Sequence, residues 1–91
     1  MPKTIILSLG GSLIFPDELD TTFLKNFKKT IKKYIKKDYK FVIICGGGKL
    51  ARASQQVASK SRKLSNNELD WLGIYATKIN AYLVKSLFEN D

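Results

Sequence analysis

Gly46, Gly47 and Gly48 close an apolar run and are followed by Lys49 and Arg52. Three successive glycines lose more backbone entropy on folding than any other triplet, so a bare main chain here needs a reason. A glycine-rich turn leading from a strand into a helix offers free N–H groups and the positive end of the helix dipole. With no Cβ in the way, phosphate oxygens can approach it closely. Arg52, one turn into the helix, can add a charge-assisted, two-pronged contact. A second pair, Gly10 and Gly11, ends an earlier apolar run. If the two runs are parallel strands, both clusters lie beyond carboxyl ends and face one crevice. A tight turn with close packing is the competing account of either cluster alone; two clusters at matching strand ends favour a phosphate. The spacing fits neither the Walker pattern nor G-x-G-x-x-G.

Composition narrows the chemistry further. The chain has no histidine, which removes the commonest general base and the commonest metal ligand. Its single cysteine, Cys45, cannot close an internal disulfide. With no histidine to activate it, Cys45 reads as a small core residue, and a reducing, cytoplasmic location is expected. The opening stretch MPKTIILSLGGSLIF is broken by its glycine pair and followed by Pro16-Asp17-Glu18 in place of a small-residue cleavage site, so a secretory signal is not expected. No apolar run reaches the ~18 residues of a membrane span. At 91 residues and 44% hydrophobic, the chain suits one small domain with a packed core.

Elements must position these residues. TIILSL, residues 4–9, and KFVIIC, residues 40–45, read as short strands apolar enough for burial on both faces. Between them Leu19, Phe23, Leu24, Phe27, Ile31, Tyr34 and Ile35 recur at helical spacing, and Asp20 is placed to cap the helix. Strand, helix and strand form a βαβ unit, which makes the strands parallel. A second helix is predicted from about Lys49 to Arg62. Ser65 and Glu68 then form an S-x-x-E capping box for a third helix, with Leu72, Tyr75, Ile79, Tyr82, Leu83 and Leu87 along it towards residue 88. Two buried-type parallel strands call for a wider sheet, and by themselves both would be edges. On these grounds the chain reads as part of something larger.

Charge is uneven. The net charge is +8, and residues 25–40 hold eight lysines against one aspartate, or +7. The lysines fall opposite the apolar positions of the first helix, as on a solvated face. A basic module for nucleic acid is the alternative, although Phe23, Phe27 and Tyr34 lie at core spacing, not as stacking platforms.

LSLGGSLIFPDELD, GGGKLAR and LDWLGIYATKINAYLV, in that order, resemble the N-terminal part of the amino acid kinase superfamily, and within it the archaeal-type uridylate (UMP) kinases. The resemblance spans residues 4–88. It implies an α/β fold, β-α-β-α-α, forming part of a parallel-sheet sandwich whose sheet is incomplete within these residues. The implied reaction is phosphoryl transfer from ATP, carried with Mg²⁺, to UMP, giving UDP and ADP in pyrimidine nucleotide biosynthesis. By resemblance Ser8, Leu9, Gly10, Gly11 and Ser12 form a loop cradling the ATP phosphates, and Gly48 and Arg52 line the meeting point of the two nucleotides. Gly47 touches the UMP phosphate, and Asp70 receives the ribose hydroxyls, which a carboxylate can accept as a pair. A first-turn acid favourable to the helix dipole is the other account of Asp70. Many members carry a lysine where this chain has Ser8, which leaves Arg52 or Lys49 as the candidate catalytic cation. Family members have a C-terminal ATP lobe and assemble through their N-terminal portions. A single acceptor lobe over residues 1–91 is therefore expected, inactive alone, with a homo-oligomer or a complementary lobe as partner. A non-catalytic relative of the same superfamily is a further alternative.

Overall fold

The computed structural model describes residues 2–15 and 21–88. Two parallel strands, β1 (Lys3–Leu9) and β2 (Tyr39–Cys45), pair from Lys3 opposite Tyr39 to Leu9 opposite Cys45. This register carries both strands to their carboxyl ends together, so the two glycine clusters emerge side by side. Four helices complete the described chain: α1 (Gly11–Ile14), α2 (Thr22–Ile35), α3 (Gly48–Ser61) and α4 (Asn66–Leu87). The architecture is the expected α/β arrangement with an incomplete sheet. The single-turn α1 is an addition, since Gly10-Gly11 reads from sequence as loop.

The helix boundaries follow local chemistry. Asp20, expected to cap the first helix, lies outside the described residues, as does Leu19. Thr21 stands at the N-cap of α2, and its side chain makes no capping bond. Past its end, Asp38 takes a left-handed φ of 67°, a conformation that a short polar side chain tolerates. At the start of α4 the capping box forms in full. The Glu68 N–H donates to Ser65 Oγ (3.1 Å), and the Ser65 N–H donates to Glu68 Oε1 (3.1 Å).

One face of the sheet is covered. Leu9 and Cys45 are buried with Ile14 and Val84, and Phe27, Ile43, Leu83 and Phe88 pack against them. Helices α2 and α4 thus share the odd-numbered face of the strands. Burial on both faces, expected from the apolar composition, is not what these residues form. Ile6, Val42 and Ile44 point the other way and are 67%, 45% and 56% exposed. Period-2 alternation explains the split, because successive side chains leave a strand on opposite sides.

Helices α2 and α4 each bury only a narrow stripe of their apolar positions. In α2 the buried residues are Leu24 and Ile31, while Phe23, Tyr34 and Ile35 are exposed. Tyr34 instead meets Tyr39 edge-on at 5.5 Å, at the entry to β2. In α4 the buried positions are Ala76, Asn80 and Val84, one turn apart, and Tyr75, Ile79 and Tyr82 lie on the outside. The spacing of those three residues marks the helix correctly without saying whether they are covered. A 22-residue helix apolar on two sides carries two faces, and only one of them meets this chain's sheet. No helix among the described residues is long and apolar enough to cross a membrane.

Candidate functional site

The two glycine clusters touch. The Gly46 N–H donates to the Leu9 carbonyl (3.1 Å), which prolongs the strand pairing by one step into the turn. Beyond it, Gly11 and Gly48 face each other across the crevice. A Cβ on Gly11 would lie 2.5 Å from the Gly48 nitrogen, and one on Gly48 would lie 2.5 Å from the Gly11 carbonyl carbon. Neither neighbour is a movable side chain; both are backbone. Gly48 also has a φ of +53°, which disfavours any side chain there. The close-packing account of these glycines therefore holds at Gly11 and Gly48. Gly10 differs, with nothing within 4 Å of where its Cβ would be, so its main chain borders open space.

A cleft of about 590 Å³ opens between the start of α3 and α4, lined by Gly47, Gly48, Arg52, Gln55, Asp70 and Thr77 among others. Four residues singled out in sequence, Gly47, Gly48, Arg52 and Asp70, thus converge from two helices on one space. Arg52 also reaches the first glycine turn, where its Nη2 donates to Ser12 Oγ at 3.4 Å. Ser12 is thereby joined to the cleft through Arg52. The others of its segment stand apart: Ser8 is exposed on the uncovered face of β1, and the Leu9 side chain is buried in the core. For these two, the main chain at the strand end is what the crevice can use. Lys49 is exposed on α3 and is not among the cleft-lining residues.

The alternative account of Asp70 also meets the structure. The acid in the first turn of α4 is Glu68, not Asp70. Hydrogen bonds from the Ser65 backbone and from Arg62 hold the Glu68 carboxyl below its ordinary pKa. Asp70 lies further along, exposed at the cleft. The first-turn account therefore does not hold for Asp70. Cys45 is buried, and desolvation pushes its thiol pKa up, as expected of a core thiol and not of a nucleophile.

Three residues around the cleft escaped sequence reasoning. Gln55 Nε2 donates to the Leu69 carbonyl (2.9 Å) and ties α3 to α4 beneath the cleft. Thr77 Oγ1 donates to the Gly73 carbonyl of its own helix (3.0 Å) and lies beside Gly47, 3.4 Å from where a Cβ on that glycine would be. Asn80 is fully buried, and its Nδ2 donates to the carbonyls of Gly46 (2.9 Å) and Gly47 (3.2 Å). Its signal was present in sequence, as a polar residue in register with Ala76 and Val84 on the inward stripe.

The amino acid kinase family model matches residues 3–91. This chain belongs to the amino acid kinase family. Among curated relatives, the uridylate kinase of Thermoplasma volcanium is 38% identical over 89 residues, covering 98% of this chain and 38% of the relative. The uridylate kinase of Thermoplasma acidophilum is 40% identical over 89 residues, covering 96% and 37%. That of Thermococcus sibiricus is 35% identical over 80 residues, covering 88% and 35%. The chain therefore spans little more than a third of the length of these relatives.

Proposed function

We propose that these residues form the acceptor lobe of a uridylate kinase, binding UMP in the α3–α4 cleft while the Gly10-Gly11 turn faces the ATP phosphates. The observation that carries this reading is the convergence of Gly47, Gly48, Arg52 and Asp70 on one cleft, in a chain whose relatives are uridylate kinases. The N-terminus of α3 and the Arg52 guanidinium supply positive potential for the UMP phosphate. Asp70, on the facing helix, supplies the acceptor for the ribose hydroxyls. In the reaction a phosphate oxygen of UMP attacks the γ-phosphorus of ATP, and the bond to the β-phosphate oxygen breaks, leaving ADP and UDP. Such a transfer depends on positioning and charge stabilisation more than on covalent chemistry. Arg52, bridging the two turns through Ser12, is placed to neutralise charge between the nucleotides, with Lys49 as the other candidate cation.

No group of three or more His, Cys, Asp or Glu suited to a metal occurs among the described residues. On this reading Mg²⁺ enters as part of the nucleotide substrate, carried with ATP. The relatives extend far beyond the matched stretch, so turnover is assigned to an assembly that also contains a C-terminal ATP lobe. The chain by itself is inactive on this reading. The setting that suits it is the cytoplasm, in pyrimidine nucleotide supply.

Calorimetric titration tests the cleft. UMP should bind and uridine should bind much more weakly, because the phosphate provides the main contact. Arg52→Ala should weaken UMP by about 1.5–3 kcal/mol, the range for a hydrogen bond to a charged group, and leave uridine unchanged. Equal affinity for UMP and uridine, or an Arg52→Ala chain that binds UMP as before, would overturn the assignment.

A further inference from the structure

Asn80 is the single buried polar side chain among the described residues, at 0% exposure. It sits where an aliphatic residue would pack, on the same stripe as Ala76 and Val84. Its Oδ1 is buried without a hydrogen-bond partner, a desolvation penalty that an apolar side chain would avoid. What the amide gains at the other end is a grip on two successive carbonyls, those of Gly46 and Gly47. The reverse orientation of the amide would set Oδ1 against both carbonyl oxygens, so hydrogen-bond chemistry selects the orientation with Nδ2 inward.

Peptide geometry makes this grip consequential. The described chain has no cis peptide bonds, and in a trans peptide the carbonyl and the following N–H point in opposite directions. Holding the Gly46 and Gly47 carbonyls toward Asn80 therefore turns the N–H groups of Gly47 and Gly48 away from it. Two successive N–H groups aimed one way at a helix start form an anion-binding concavity. The glycines cannot hold that arrangement themselves, and no side chain caps α3 at Gly47. Gly47 O is fixed a second time by the Ala51 N–H (3.2 Å), so Asn80 locks the peptide that opens the helix.

We infer that Asn80 is a positioning residue for the phosphate turn, setting the direction of the Gly47 and Gly48 N–H groups from behind. It touches no ligand. The inference rests on the reading that this turn holds the UMP phosphate, and its test is built to separate the two.

Asn80→Asp keeps the shape, but its carboxylate cannot donate to the carbonyls; Asn80→Ala removes the group. Val84→Ala, one turn further on the same buried stripe, weakens packing without touching the turn. Equilibrium dialysis should show UMP affinity reduced about tenfold in both Asn80 variants, with little change in Val84→Ala even where its melting temperature falls as far. In Asn80→Asp the affinity relative to the unmodified chain should recover as pH falls, because the protonated carboxyl can donate to one carbonyl. Hydrogen exchange at Gly46 and Ala51, whose N–H groups are bonded to the Leu9 and Gly47 carbonyls on either side of the turn, should be about tenfold faster in the Asn80 variants than in Val84→Ala, whether or not ligand is present. In the unmodified chain the Asn80 side-chain amide protons should be protected, a check that no folding defect can confound. UMP binding and exchange at Gly46 and Ala51 both indifferent to Asn80, or rapid exchange of its own amide protons, would overturn the inference while leaving the kinase reading in place. No UMP binding by the unmodified chain, with the exchange difference intact, would overturn the kinase reading and leave Asn80 as the residue that sets the turn.

Discussion

Gly11 and Gly48 each stand where the other's Cβ would be, and this mutual exclusion gives the glycine clusters a role that precedes any ligand. Alanine at Gly48 must both adopt a left-handed φ and displace the Gly11 backbone, so Gly48→Ala should cost about 1–3 kcal/mol in urea unfolding. Gly11→Ala should cost a similar amount through the same contact. Gly10→Ala supplies the contrast: its φ of −64° suits any residue and its surroundings are open, so stability should stay within about 0.5 kcal/mol. Equal destabilisation at Gly10 and Gly11 would show that the contact between the turns is not what selects glycine. At this scale the sequence was partly legible. It marked where the main chain must be bare, but not against what, since the neighbour of Gly48 lies 37 positions earlier (48 minus 11) and no local pattern reports that distance. Arg52 was recognisable by its charge one turn into the helix, whereas Asp70 was singled out by the resemblance to the family. Asn80 was overlooked because a polar residue on an apolar stripe looks like an interruption until its partners are seen.

Helix α4 joins a legible beginning to a face whose covering is not written in its spacing. Its capping box was readable because Ser65 and Glu68 interact within one turn, where sequence separation and spatial separation coincide. Glu68 has its pKa lowered by the Ser65 backbone bond and by Arg62, so the folded state holds the ionised form more strongly than the unfolded chain does. That contribution is complete above the ordinary glutamate pKa and is lost as pH falls through the lowered folded value. The melting temperature should accordingly decline as acid is added below the ordinary glutamate range. Glu68→Gln, which keeps an oxygen for the Ser65 N–H but cannot titrate there, should lose that part of the decline. Ser65→Ala should remove about 1 kcal/mol through the lost cap. An acid profile identical in Glu68→Gln and the unmodified chain would assign the titration elsewhere. Along the remainder of α4 periodicity marks the helix and its apolar positions without saying what covers them. Tyr75, Ile79 and Tyr82 have the right spacing for a core, and their burial depends on partners that the described residues do not provide. Helix α2 repeats the lesson with Phe23, Tyr34 and Ile35, while its lysine side was legible because solvation needs no partner.

Among the described residues two apolar surfaces stay open at the scale of the molecule: the sheet face of Ile6, Val42 and Ile44, and the outer stripe of α4 with Trp71, Tyr75, Ile79 and Tyr82. Among the described residues each strand is paired on one side only, which leaves a row of unmatched backbone groups along each edge. The radius of gyration is 15.6 Å, against about 12 Å for a compact domain of this length. The chain is therefore expanded for its size and short of covering layers, as the apolar composition of its strands suggests. What composition could not supply was which face would be bare, because that follows from the side on which α2 and α4 settle. Apolar area in water is stabilised by association, at roughly 25 cal/mol for each Å² removed. Purified alone, the chain should self-associate or hold its side chains loosely, visible as a concentration-dependent mass in light scattering and a broad melting transition. A C-terminal lobe supplied as a separate chain from a related uridylate kinase should pair the open edge and cover the bare sheet face. Dispersity should then narrow, melting should sharpen, and UDP should form from ATP and UMP in a coupled assay. If the added lobe bound and sharpened melting but gave no UDP, the sheet would be completed and the Gly47, Arg52 and Asp70 cleft would be the part in error. A monodisperse monomer that melts cooperatively and phosphorylates UMP unaided would show that the open faces need no partner.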